Sequence, residues 1–204
     1  MIPRWLAHLH DRLTTTTTVV HGLPVTVVNT RPDIRTPDVL TRLGAALDLI
    51  AEYTPHYDRH LRRDFAAILV QRYACRGAYF PDQRVCLVEL TFVVNPTFSL
   101  AQVAATILHE GMHARLHALG FPLEMEDRAR QERFCRRAEI EFGRVVPGGE
   151  PVVERALSTL AAADEDVAPV IDERLAQQRI READLKALPP WVQRTIAWRR
   201  GRQQ

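Results

Sequence analysis

His109, Glu110 and His113 stand in the order His-Glu-Gly-Met-His, an H-E-x-x-H pattern. On a helix, residues four apart lie about 40° apart around the axis and one turn up, so both imidazoles can reach one ion. Neutral imidazole suits Zn²⁺, and the intervening carboxylate can take a proton from a water on that metal. The pattern fixes only three positions, so its surroundings must carry part of the argument.

Those surroundings predict a helix. Ser99 with Gln102 reads as a capping box, and Gly120 followed by Pro122 reads as a stop, which brackets about Leu100 to Leu119. Between these ends the only formal charges are Glu110 and Arg115. Val103, Ala104, Ile107, Gly111, Ala114 and Ala118 form a small apolar stripe. Gln102, Thr106, His109, His113 and His117 project on roughly the other side. An almost uncharged helix is usually buried. Imidazoles and a carboxylate buried together need a purpose or partners. The plain alternative is that hydrogen bonds satisfy the histidines and a nearby arginine satisfies Glu110. His117 makes a poor third ligand, because a straight helix rises about 12 Å between His109 and His117. The third ligand must come from elsewhere in the chain.

The bounds on the whole chain are loose. Its 204 residues suit one compact domain, read as residues 1–204, with 46% apolar and 25% charged residues. A net charge of +2 argues against nucleic acid and against an acidic membrane surface. Cys75, Cys86 and Cys135 form no C-x-x-C pair and are odd in number, which suits a reducing compartment. The first residues carry no apolar run of signal-peptide type, and no stretch approaches a membrane span. The expected setting is cytoplasmic.

Other elements follow from local signals. Residues 4–13 suit a short amphipathic helix. Thr14–Thr18 with Val19 and Val20 reads as a strand, His21–Pro24 as a turn, and Val25–Val28 as the second strand of a hairpin. Thr36-Pro37-Asp38 and Thr54-Pro55 each start a helix, to about Tyr53 and Arg63. His56 and His60 repeat the i, i+4 spacing but sit among charges, so they are expected to be exposed. Strands are expected in the second half of 65–73, at 77–80 and at 84–89, with 91–94 extended. Together they predict a small antiparallel sheet packed on the motif helix, an α+β architecture. The strand at 84–89, if on an edge, could pair with an extended substrate. Helices are expected at about 124–145, 150–163 and 171–186, so the second half is mostly helical. The break at Pro147–Gly149 separates a helical appendage at 150–204.

From His113, eighteen residues intervene before Glu132, giving H-E-x-x-H-x18-E. This resembles the gluzincin group of zinc metallopeptidases, whose third ligand is a Glu on the next helix. The spacing is similar to that of the aminopeptidase branch. The resemblance covers about residues 66–145, and it implies a zincin-like fold. It implies one zinc ion held by His109, His113 and Glu132, with Glu110 as general base acting on a peptide or protein substrate. Two residues depart from the family pattern. Arg136 stands four after Glu132, where an acidic residue can orient the first His, so that task falls to Glu139 or to a backbone carbonyl. Arg115 stands two after His113, where the pattern is apolar. Glu126, Glu139, Glu141 and Cys135 compete with Glu132 as ligand. Glu132 also has an ordinary use, paired with Arg128 and Arg136 along its helix. Tyr73, Tyr79 and His117 are candidate oxyanion donors by type. Two other classes fit the sequence. One is a zinc-binding regulatory or interaction module without turnover. The other is a helical interaction protein using Trp191, Trp198 and the Arg-rich C-terminal end.

Overall fold

A computed structural model describes residues 14–121, 127–167 and 173–187. The segments at 4–13 and 188–200, the first residues of the helix expected from Glu124, and Glu126 lie outside the described residues. The chain divides into two compact units, Met1–Val170 and Ile171–Gln204. In the second unit Glu173–Ala187 is a helix.

The first unit is α+β. It opens with a hairpin, β1 (Thr15–Val20) and β2 (Leu23–Val28). The turn is shorter than the sequence suggested: only His21 and Gly22 lie outside the strands. Both have positive φ, 52° and 76°, as a two-residue turn matching the twist of its strands requires. On β2 every second residue, Leu23, Val25 and Val27, is buried. Two helices follow, α1 (Thr36–Tyr53) and α2 (Pro55–Asp64). The chain then returns as β3 (Ala67–Gln71), β4 (Gly77–Phe80) and β5 (Val85–Glu89).

The sheet order is β1-β2-β3-β5-β4. It is mixed, which corrects the antiparallel expectation: β2 pairs with β3, and β3 with β5, in parallel. For β2 and β3 the α1–α2 crossover is the physical reason, since a helical connection of this length returns the chain in the same direction; β5 runs along β3 because β4 intervenes in the chain and turns back into β5 antiparallel. β5 lies inside the sheet, between β3 and β4, so residues 84–89 are not an edge. The edge strand on that side is β4, antiparallel to β5.

Residues 90–94 are also a correction, because Leu90–Val94 is a short helix, α3, and not extended chain. Glu89 caps it, accepting from the Phe92 N–H at 2.7 Å and from the Thr91 hydroxyl at 2.6 Å. Arg72 pairs with the same carboxylate.

The central helix is α4, Leu100–Ala118. Its capping box forms in both directions: Gln102 N–H donates to Ser99 Oγ at 3.2 Å, and Ser99 N–H to Gln102 Oε1 at 2.9 Å. Its far end is a Schellman turn. Gly120, with φ 73°, donates to the His117 carbonyl, and Phe121 donates to that of Leu116, both at 2.9 Å. The helix is buried around most of its girth, although Ala118, placed on the apolar stripe, is exposed. The α2 helix passes closest at Gly111, where a Cβ would lie 2.1 Å from Leu61 Cδ2.

Three helices complete the unit: α5 (Arg128–Val145), α6 (Glu150–Leu160) and the short α7 (Asp164–Val167). The α5 helix packs along α4, and α6 packs on α5. Phe142, fully buried, anchors α5 in the core. No helix among the described residues is long and apolar enough to cross a membrane.

Candidate metal centre

The α4–α5 contact brings three side chains to one point. His109 Nε2 and His113 Nε2 lie 3.3 Å apart. The Glu132 carboxylate straddles them, with Oε2 3.2 Å from His109 and Oε1 3.3 Å from His113. Tetrahedral bonds of about 2.0–2.1 Å place neighbouring ligand atoms about 3.3 Å apart. The donor set, two imidazoles and a carboxylate, therefore has both the chemistry and the spacing that a small divalent ion takes. Cys135, one turn further on α5, is buried, and its Sγ lies within 4.8 Å of one nitrogen from each histidine. This buried group of His109, His113 and Cys135 could hold a metal ion.

Glu132 is 13% exposed and faces the imidazoles. Its contact with Arg136 is 3.9 Å, too long for a hydrogen bond. Of its rivals, Glu141 turns to the opposite side of α5. There it accepts from the Tyr57 hydroxyl at 2.8 Å and lies 3.3 Å from His56. Glu139 is at the site but on the far side of the His109 ring: its Oε1 lies 2.9 Å from His109 Nδ1. That bond fixes the ring and leaves Nε2 facing the other donors. Arg136 takes a supporting part. It donates to Glu139 Oε1 at 2.8 Å, and Arg155 of α6 donates to the same oxygen at 3.2 Å. Glu139 Oε2 is buried with no partner.

The electrostatics follow from this crowding. Burial disfavours charge on His109, but the bonds to Glu132 and Glu139 outweigh it and push the imidazole up to about 10. Burial alone would raise Glu132 and Glu139. Their bonds to the imidazoles instead hold both well below the usual carboxylate range, Glu139 at about 2. Glu110 moves the other way, raised by burial. No arginine pairs with Glu110 among the described residues, so the plain account of that residue fails.

Glu110 is housed against bare backbone. A Cβ at Gly77 of β4 would lie 2.8 Å from Glu110 Oε1 and 2.8 Å from Thr106 Cγ2. Gly77 opens β4, and a Gly in a strand signals such an approach. Arg155 gave no signal, since nothing local ties it to Glu139.

The remaining candidates lie apart from the ligand set. His117 Nδ1 is 3.1 Å from the Tyr79 hydroxyl, and Tyr73 packs edge-on against Phe80. His56 and His60 are half-buried rather than exposed. Their rings lie edge to face at 6.4 Å, and they belong to no metal-ligand group among the described residues. Trp191, Trp198 and the Arg-rich end lie outside the described residues. No protein-family model, curated protein or solved structure matches the chain.

Proposed function

We propose that this chain is a zinc-dependent peptidase of gluzincin type, with His109, His113 and Glu132 as ligands and Glu110 as general base. One observation carries the reading: two imidazole nitrogens and a carboxylate meet at 3.2–3.3 Å, with Glu110 beside them. Zinc held there supplies Lewis acidity, polarising a carbonyl and lowering the pKa of a water to about 7. The chain's own residues do the rest. Glu110, its proton affinity raised by burial, accepts a proton from the attacking water and passes it to the leaving amine. Glu139 holds His109 in its tautomer.

Metal analysis by mass spectrometry tests the assignment. The purified protein should carry about one zinc, and His109→Ala, His113→Ala and Glu132→Ala should each lose it. Folded, metal-free wild-type protein after zinc supplementation would end the proposal.

Gly77→Ala probes the base. Its Cβ would displace the Glu110 carboxylate, and a misplacement of about 1 Å costs roughly 10²-fold in rate. Zinc should be retained. A Gly77→Ala enzyme as fast as wild type would remove Glu110 from the mechanism.

A second reading rests on Cys135. If its thiolate closes the coordination sphere, no open position remains, and the domain is a zinc-binding module without turnover. Burial pushes the thiol up, which opposes a thiolate. Cys135→Ser separates the two: the peptidase keeps its zinc, whereas the closed site loses it.

A further inference from the structure

The C-terminal end of α4 carries an open pocket of about 660 Å³, lined by none of the three ligands. Arg63, Asp64, Tyr79, Arg84, Arg115 and His117 line it. It belongs to a different face of α4 from the metal centre. Gly111 meets Leu61 of α2, and Arg115 stands one turn further along that same side. The pocket therefore opens where α2 ends, where the turn from β4 to β5 passes, and where α4 runs out.

Its lining is unevenly charged. Three arginines face one carboxylate, a surplus of two positive charges. The carboxylate is also spent. Asp64, 3% exposed, takes two bonds from Arg63, Nε to Oδ1 at 2.8 Å and Nη2 to Oδ2 at 3.1 Å. Arg115 Nη1 reaches it only at 3.8 Å, beyond hydrogen-bond length, although the Arg115 side chain is just 25% exposed. A guanidinium carries five donors, so Arg115 has donors to offer a ligand.

Arg84 is a second observation. It closes the turn from Pro81, donating its N–H to the Pro81 carbonyl at 3.1 Å, with φ 55°. Glycine takes such a left-handed position without strain, and arginine does not. The side chain placed there donates to the Asp64 carbonyl at 3.0 Å and the Arg63 carbonyl at 2.6 Å. It thus covers the carbonyl end of α2, which would otherwise repel an anion, and brings its charge to the pocket. The end of α4 is covered likewise by the Gly120 and Phe121 N–H groups. Tyr79 and His117, 3.1 Å apart, add a hydroxyl and an imidazole to the wall.

We propose that this pocket is a phosphate-binding site, separate from the metal centre, with Arg115 as its principal donor. A phosphate group carries about −1.5 to −2 charge at pH 7 and three acceptor oxygens, which matches the surplus of two, whereas a carboxylate brings only one negative charge. Arginine forks suit its geometry. Pockets of about 300–1,000 Å³ hold small molecules, so there is room for a phosphorylated small molecule as well as for inorganic phosphate. The site is independent of the peptidase reading.

Calorimetry tests it. The full-length protein is titrated with orthophosphate, glucose 6-phosphate and glucose at one ionic strength, before and after treatment with a chelator. Glucose 6-phosphate should bind at least tenfold more tightly than glucose, equally well in both states of the protein. Equal affinity for orthophosphate assigns the site to the phosphate group alone, and tighter binding of the ester assigns it to a phosphorylated small molecule. Arg115→Gln should weaken binding about tenfold, as expected for losing one charge-assisted interaction. Its melting temperature without ligand should be unchanged, since the side chain has no hydrogen bond to lose. Arg115→Lys should keep part of the affinity. Arg35→Gln, at a residue 77% exposed that does not line the pocket, should leave affinity unchanged. Absence of binding by both phosphates, glucose as tight as its phosphate, equal losses in Arg35→Gln and Arg115→Gln, or full affinity in Arg115→Gln overturns the proposal. Binding that disappears with the chelator places the anion on the metal and overturns it too.

Discussion

Glu110→Gln should retain its full complement of zinc and hydrolyse peptides about 10²- to 10⁴-fold more slowly than wild type. The side chain has nearly the same shape, so it fits the space left by Gly77. It is not one of the three converging ligands, so metal content should not move. What it loses is the lone pair that accepts a proton. The environment is suited to that task, because burial raises the proton affinity of Glu110 towards that of a working base. The measurement pairs zinc per protein with turnover of a peptide selected from a library by the wild-type protein. Unchanged turnover in Glu110→Gln would sink the mechanism, whatever the metal does.

Glu139→Ala should damage both stability and metal binding. The carboxylate is fully buried and takes bonds from His109, Arg136 and Arg155 through one oxygen. Removing it leaves two guanidinium groups facing each other without their counter-ion. Breaking a buried pair costs about 3–5 kcal/mol. The lower end is expected here, because Arg155 is 33% exposed and can turn to water. Urea unfolding should show the loss as a lower midpoint with an unchanged slope. Zinc affinity should fall by about 10- to 100-fold, since His109 is no longer held in place. If the midpoint falls but competition with a chelator gives wild-type affinity, Glu139 is a counter-ion for the arginines and does not orient the ligand.

The site was legible where its signals are local. The motif helix and its caps follow from Ser99, Gln102 and Gly120, because capping chemistry acts over three or four residues. His109 and His113 converge by helix geometry alone. Glu132 needed a spacing rule, and Glu139 followed from asking what replaces an acid at Arg136. The sheet was less legible. Strand positions at 67–71, 77–80 and 85–89 came within two residues, but parallel pairing depends on how α1 and α2 carry the chain across, and no short window records that. The helix at 90–94 was missed because its β-branched and aromatic residues suit a strand and Glu89 is not among the usual N-cap residues; the cap itself is local, and only the Arg72 contact that holds its carboxylate is tertiary. Arg155 lies one helix beyond α5 and touches the site only after packing.

The out-and-back path of the last two strands has a consequence for how the molecule assembles. β4 and β5 form a local hairpin, which closes on a timescale of about 1–10 μs. The pairing of Val25 with Ile68 bridges a long crossover and is slow by comparison. The wall behind Glu110 rides on the fast hairpin. Its seat is finished only when that hairpin slots in beside the strand of Ala67–Gln71 and α4 settles over it. Glu110 is therefore expected to reach its final surroundings only at the end of folding.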